Sequence, residues 1–535
     1  MEQKPAKTKR QKKDKAILKP NRHGFFGKVI FNQSFLTLLL IIIQLAAIIL
    51  GLVYLVDKYV YIVITLHLAL SVFLIFVILR RPADLSYKIA WIVCVALLPI
   101  FGSLLYLWVR IFPNTKVIVR RYTKRIEENK NVIGQNEEVL TKYNASFPSL
   151  AGVASAIYDA TGSPIYEKQK LTHYKVGDEA FPEMLEALEN AKEFIFMEYF
   201  IIAGGRMYNT ILEILRRKVA EGVEVRMLYD GLNILTTVPR NYHKHLRKAG
   251  INVRVFAPLS SSLSPYQNNR DHRKLLIVDG KVGFTGGINL ADEYINEYER
   301  FGHWKDTVLK LEGEAVNSFT AMFLEMWHTL DTLQNQKLET EKYLRFSDVQ
   351  EEHLNYIVSY TDLPDNKMAL SERLFVSQIA HAHNYVHVFT PYLIMSETLK
   401  KELIFAAKRG VEVIIIMPHI PDKKMPFWTA RSYYKDLLSE GIEIYEYTPG
   451  FMHAKATITD DQFVNTGSTN YDFRSLFLNY ENGIFISDTV YTKTIEADFQ
   501  ECLSVSQKIT FEVISKFPGW QKLLGRIGRI FGTLF

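Results

Sequence analysis

The chain divides by its pattern of apolar and polar positions into a lipid-like front and a soluble body. Residues 34–56 carry no charge, a run longer than the ~20 residues a helix needs to cross about 30 Å of hydrocarbon. After Asp57 and Lys58 a second uncharged run follows at 59–79, so the two predict a transmembrane hairpin. His67 inside the second run is expected to be a neutral, helix-packed ring rather than a working intramembrane group. A third run, 89–109, carries Pro99 and Gly102 at its centre, where a straight helix kinks or turns. It either spans or re-enters. The runs start too far in and last too long for a cleaved signal peptide.

From about 150 the pattern changes to helical periods alternating with short β-branched strands, and it repeats. RKVAEGVEVRML at 217–228 matches AAKRGVEVIIIM at 406–417, each a helix end, a Gly-Val-Glu-Val turn and an apolar strand. A shorter copy follows each, at Ala249-Gly250-Ile251-Asn252-Val253 and at Glu440-Gly441-Ile442-Glu443-Ile444. The expected fold is therefore α/β, two similar halves packed about a pseudo-twofold axis. The expected order is a basic tail (1–33), membrane segments (34–110), a basic connector (111–149), a first half (150–335), a linker (336–350), a second half (351–508) and a C-terminal helix (509–535).

Charge refines this picture. The formal net charge is +7, yet residues 1–33 hold ten Lys or Arg against Glu2 and Asp14. The rest of the chain is close to neutral. That argues against a nucleic-acid surface and fits a basic tail beside anionic lipid. Basic residues also flank the other runs, Arg80, Arg81 and Lys88 before the third and Arg110, Lys116, Arg120, Arg121, Lys124 and Arg125 after it. The positive-inside tendency wants all of these flanks in the cytoplasm, which requires 89–109 to turn back and leaves the catalytic body cytoplasmic. A crossing would put the body outside. With only Cys94 and Cys502, neither a disulfide framework nor a cysteine zinc site is expected.

The chemistry sits in a second repeat, DHRKLLIVDGKVGFTGGIN at 271–289 and MHAKATITDDQFVNTGSTN at 452–470. Both read His-x-Lys-x-x-x-x-Asp, then Gly-(Gly/Ser)-x-Asn: His272, Lys274, Asp279, Gly287, Asn289 and His453, Lys455, Asp460, Ser468, Asn470. Residues two apart on a strand share a face, so each His and Lys point the same way. Asp279-Gly280 and Asp460-Asp461 read as two-residue hairpin turns. That register sets His272 opposite Gly287 and His453 opposite Ser468, and puts Asp279 and Asp460 at the far end, as turn residues.

Two such faces brought together form an anion pocket: lysine gives point charge, asparagine a neutral donor, and glycine lets a tetrahedral group approach the backbone. Phosphoryl transfer suits them. One imidazole attacks phosphorus while the other protonates the departing alkoxide and later deprotonates the incoming alcohol. A carboxylate should orient each ring, and Asp306 in HWKDT and Glu481 in NYENG are the candidates. Glu198, in FIFMEYFII, either lines the pocket or ends a strand at the surface. Tyr392, Phe427, Trp428, Tyr433 and Tyr434 are expected mostly in the core, and no close cluster suggests a metal.

These duplicated motifs resemble those of the phospholipase D superfamily. Together with AWIVCVALLPIFGSLLYLWVR, FIFMEYFII and HWKDT, the likeness is to bacterial cardiolipin synthases, from about residue 80 onward. The resemblance implies two phospholipase D-like α/β halves, mixed sheets flanked by helices, behind N-terminal transmembrane helices. It implies a multi-pass cell-membrane enzyme that condenses two phosphatidylglycerols into cardiolipin and glycerol through a phosphatidyl-histidine, with no metal or other cofactor. It carries the nucleophile to His272 and the acid to His453, and makes catalytic sets of His272, Lys274 and Asp279 and of His453, Lys455 and Asp460. The run at 34–56 and Asp271, where asparagine is expected, depart from the family pattern.

Water can resolve the same intermediate, so a membrane-bound phosphodiesterase stays open, as does a non-catalytic anionic-lipid-binding protein. A water-poor site at a bilayer favours a lipid hydroxyl. At the C-terminus Trp520, Leu523, Leu524, Ile527, Ile530, Phe531 and Leu534 recur at helical spacing beside Lys522, Arg526 and Arg529, which reads as an amphipathic helix on an anionic bilayer or against the protein's own core.

Overall fold

The computed structural model describes residues 60–81, 85–98, 101–111, 114–258, 269–331, 338–346, 351–364 and 368–532, with 17, 18, 46 and 349. The basic tail and the first apolar run, apart from 17, 18 and 46, lie outside the described residues, as does Pro99.

Two mixed sheets flanked by helices form the body. In the seven-stranded sheet the order is Lys170–Tyr174, Val308–Glu312, Val282–Gly286, Lys274–Val278, Phe194–Tyr199, Glu224–Asp230 and Asn252–Phe256. The last three are parallel, and the remaining pairs are antiparallel. The nine-stranded sheet repeats the last six of these as Glu481–Ser487, Phe463–Gly467, Ala456–Thr459, Tyr385–Phe389, Glu412–Pro418 and Glu443–Tyr447. The Gly-Val-Glu-Val repeats open the matching strands Glu224–Asp230 and Glu412–Pro418. Their alternating Val, Ile and Met side chains are buried on both faces, which is why these strands read as near-continuous apolar runs.

Between the sheets runs the helix Val316–Thr329, every residue of which is buried. Phe319, Met322 and Phe323 share one core cluster with Phe196 and Ile277 of the first sheet and Ile458 and Ile484 of the second. At about 1.5–3 kcal/mol per fully buried large apolar side chain, this shared core holds the halves as one body. The basic connector joins it. Its helix Asn114–Ile133 buries Tyr122 and Ile126, and Asn129 donates to Glu325 at 2.8 Å.

One boundary differs from expectation. The stretch expected to open the first half covers the second sheet instead: Tyr166 pairs with Ile357, and Ala154 and Ile157 pack with Tyr356, Val358 and Leu374. At the other end Ser506–Lys508 adds a strand beside Glu443–Tyr447, and the helix Gly519–Phe531 follows.

At the front, the helix Val60–Leu79 is 20 residues long, and Leu66, Phe73 and Phe76 are exposed on it. His67 lies 3.1 Å from the Ser71 hydroxyl. The side chain of Val63 is not among those described, and among the described residues no helix is long and apolar enough to cross a membrane. The third run is not one rod. Leu85–Leu97 and Phe101–Ile111 fold back on each other, with the Trp91 and Tyr106 rings 5.3 Å apart. Gly102 sits at the fold, where a side chain would overlap the Cys94 carbonyl.

Candidate active site

Each half delivers its histidine on a hairpin. Lys274–Val278 pairs with Val282–Gly286 so that Val278 faces Val282, and Ala456–Thr459 pairs with Phe463–Gly467 so that Thr459 faces Phe463. Both turns therefore hold three residues, one more than the sequence suggests, and the expected register is off by one. The reason lies in left-handed backbone at Asp279 (φ 53°) and Gly280 (φ 66°), and at Asp460 (φ 55°) and Asp461 (φ 54°).

The two aspartates are held there by what their carboxylates accept. Asp279 takes the backbone N–H groups of Lys192, Glu193 and Phe194 at 2.7–2.8 Å, and Asp460 those of His383, Asn384 and Tyr385 at 2.7–2.9 Å. Each ties its turn to the start of the neighbouring strand. Both carboxylates thus serve the backbone at the far end of the hairpin from the histidines.

At the near end the halves exchange partners. His453 N–H donates to the Lys305 carbonyl at 2.7 Å, within a parallel pairing of Gly450–Met452 on His303–Lys305. His272 N–H donates to the Tyr480 carbonyl at 2.9 Å beside the bridge Asp271↔Tyr480. These crossings put each carboxylate under the other half's ring. His272 Nδ1 is 2.9 Å from Glu481 Oε2, and His453 Nδ1 is 2.7 Å from Asp306 Oδ2. With Nδ1–H donated to a carboxylate, Nε2 carries the free lone pair.

Both rings belong to one pocket: the charge of Lys455 acts on His272, and that of Lys274 on His453. Burial pushes each histidine down to about 4, against the pull of its carboxylate. Burial likewise pushes Lys274 down to about 7 and Lys455 to about 8. Asp306 and Glu481 are buried too, which would raise them, but the histidine and lysine beside each hold them below the usual carboxylate range. Each lysine donates to the carbonyl of its own histidine, Lys274 at 2.5 Å, keeping two further N–H donors. The Thr285 and Thr466 hydroxyls donate to the Lys274 and Lys455 carbonyls at 3.0 and 2.8 Å.

The small residues and asparagines are tied into the protein's own framework around the pocket. A side chain at Gly287 would overlap Asp306, so glycine makes room for that carboxylate. Ser468 instead donates to Glu481 at 2.5 Å. Asn289 accepts from Ile201 N–H and donates to the Tyr294 hydroxyl, both at 2.9 Å, and Asn470 donates to Ser475 at 3.2 Å. They shape the loops after the hairpins.

Sequence reasoning missed what lies beneath the pocket. Glu198 is neither a surface group nor a pocket wall. It pairs with the fully buried Arg273, which also binds Asp271 at 3.1 Å and the Tyr122 hydroxyl at 2.9 Å. Alternation hid Arg273, because it points away from His272 and Lys274 into the core. Burial, reinforced by Asp271, keeps the Glu198 carboxyl well above its usual range. Aromatic rings flank the histidines, Phe200 at 5.0 Å from His272, and Trp304 at 5.1 Å and Tyr294 at 5.7 Å from His453. Of the expected core aromatics, Phe427, Tyr433 and Tyr434 are buried. Tyr392 is hydrogen-bonded to Asp422 at 2.5 Å, and Trp428 packs on Trp520.

Comparisons with known proteins agree with this geometry. Residues 184–327 and 375–503 match the family described as cardiolipin synthase, PLD-like domain, and residues 69–110 match a phospholipase D-nuclease N-terminal segment. A cardiolipin synthase of Alkalihalophilus pseudofirmus is 32% identical over 88% of this chain and 93% of its own. Cardiolipin synthase 2 of Bacillus anthracis is 33% identical over 80% and 82%. An uncharacterized protein of Streptococcus mutans is 41% identical over 85% and 98%. Among solved structures, phosphatidylserine synthase of Haemophilus influenzae shares the fold with a TM-score of 0.56 at 14% identity, over 71% of this chain and 96% of that one.

Proposed function

The chain belongs to the cardiolipin synthase family of the phospholipase D superfamily, and on that premise we propose that it condenses two phosphatidylglycerols into cardiolipin and glycerol. The observation that carries the reading is the crossed pair of imidazoles, each oriented by the other half's carboxylate around the same two lysines.

The neutral Nε2 of His272 attacks the phosphorus of one phosphatidylglycerol. His453 enters the step as an imidazolium, its second proton on Nε2 supported by Asp306 and by the negative charge of the bound phosphodiester. A P–N bond forms, the P–O bond to the headgroup glycerol breaks, and His453 passes the Nε2 proton to that oxygen. The terminal hydroxyl of a second phosphatidylglycerol then gives its proton to His453 as its oxygen attacks phosphorus. The P–N bond breaks, cardiolipin leaves, and His272 is free again. Lys274 and Lys455 stabilise the non-bridging oxygens, where charge grows most in a buried, low-dielectric site.

The chain works at the cell membrane, held by its N-terminal apolar segments with 89–109 re-entering, so that the domains lie in the order read from the sequence and the catalytic body faces the cytoplasm. Support comes from the fold-back at Gly102 and from the basic flanks. The test is incubation with vesicles of labelled phosphatidylglycerol. Cardiolipin and glycerol in equal amounts are expected, and phosphatidate as the sole product would make the chain a hydrolase.

A further inference from the structure

The last helix, Gly519–Phe531, sits on the helix Lys424–Ser439 by its small residues. Gly525 and Gly528 are buried, and a methyl group there would overlap the Trp428 carbonyl or the Thr429 hydroxyl. Trp520 packs on Trp428 with ring centroids 4.9 Å apart, and Arg529 pairs with Asp436 at 2.7 Å. A helix on a globular protein normally buries its apolar stripe. This one buries a glycine seam and leaves the stripe outside: Trp520, Leu523, Ile527 and Ile530 are 55, 59, 42 and 47% exposed. At 100° per residue those four share an arc of about 80°, turned well away from the seam.

Three observations identify what covers this arc. The helix holds three cations and no acid, and Arg526 borders the stripe, about 40° round the helix from Ile530 and away from the seam. Its end residue Phe531 packs against Leu74, Ile78, Trp91 and Tyr106 of the N-terminal apolar helices, so the stripe continues their outward surface. Its seat begins two residues after Asp422, whose charge acts on Lys455 in the catalytic pocket.

We propose that this face is a bilayer-docking surface. The helix lies in the boundary between headgroups and acyl chains of an anionic membrane, with its four apolar residues inserted and Arg526 at the level of the lipid phosphates. Docked so, it holds the rim of the catalytic pocket at the depth from which a phospholipid headgroup enters.

The two native cysteines are buried, so Leu523→Cys in the full-length protein gives one accessible thiol for an environment-sensitive fluorophore. In nanodiscs of phosphatidylglycerol and phosphatidylcholine, we expect a blue-shifted probe quenched by nitroxides on the acyl chains, while a probe at Ser515→Cys is quenched by iodide from the water. Iodide quenching at both positions, or protection at position 523 that appears only as protein concentration rises, would overturn the proposal, the latter revealing a second copy as the true cover. As a separate measure, Leu523→Glu with Ile527→Glu should lose turnover on vesicles and keep it on detergent micelles. Equal loss on both would overturn it as well. Depth quenching needs no turnover, so its outcome is distinguishable from failure of the transfer reading.

Discussion

Glu481 and His272 stand 209 residues apart in the chain and come from different halves, yet the carboxylate holds the ring nitrogen at 2.9 Å. Because the carboxylate fixes tautomer and orientation, Glu481→Gln should cost about 10–100-fold in kcat, the range for losing a partner that orients an imidazole. Cardiolipin formation on vesicles is the readout, with the melting temperature as control. Unchanged kcat in a well-folded variant would mean the ring needs no such partner.

A covalent phosphatidyl group on nitrogen is acid-labile and alkali-stable. Rapid quenching after addition of labelled phosphatidylglycerol should leave label on the peptide holding His272, and none in His272→Ala. Label on the His453 peptide would exchange the two roles.

Asp279→Ala removes the acceptor of three backbone N–H groups and should destabilise by roughly 2–4 kcal/mol, since bonds to a charged group are worth about 1.5–3 kcal/mol each but do not add fully. The protein that stays folded should keep kcat within about threefold, against the several decades expected for a group in the chemistry. Denaturant unfolding and kinetics on one preparation separate the two.

Burial depresses Lys274 to about 7 and Lys455 to about 8 in the empty pocket, and a bound phosphate restores their charge. Binding of inorganic sulfate, a tetrahedral anion that does not itself titrate here, should therefore take up protons, with an affinity that is flat below about pH 6 and weakens from about pH 7 upward by up to tenfold per pH unit for each lysine. Stability has the matching sign. Between the unfolded lysine value of about 10.4 and these folded values the unfolded chain binds more protons, so the anion-free protein loses stability as pH falls through that window. Calorimetry in buffers of different ionisation enthalpy checks the first, and melting with and without sulfate the second. Proton release on binding would refute both.

Arg273→Met leaves Asp271 buried without its counter-charge and Glu198 without its donor, and should cost about 3–5 kcal/mol. Asp271→Asn keeps one hydrogen-bonding oxygen for the guanidinium and should stay within about 1 kcal/mol. Equal losses would mean that the Asp271 charge, and not the hydrogen bond it accepts, is what holds Arg273.

The architecture was readable because duplication repeats turn chemistry: the Gly-Val-Glu-Val segments and the two histidine hairpins reappear at matching strands of both sheets. The ring-orienting carboxylates were readable from position, since each lies just beyond its own half's motif. Which carboxylate serves which ring was not, because that depends on pairings of 303–305 with 450–452 and of 271 with 480, contacts of long sequence separation with no local signal. The three-residue turns escaped because Asp-Gly fits a two-residue turn equally well until three amides claim the aspartate. Arg273 escaped because a charge in the interior is legible only once its partners are known.

The exchange of carboxylates also sets when the protein becomes active during its synthesis. Until the ribosome has passed residue 481, the first imidazole has no acceptor for its Nδ1 hydrogen and an emerging chain beside the bilayer is expected to be unable to cleave the lipids around it. A chain stopped at residue 470, assayed against the same vesicles, should be inert, and any turnover by it would show that the first half can arm itself.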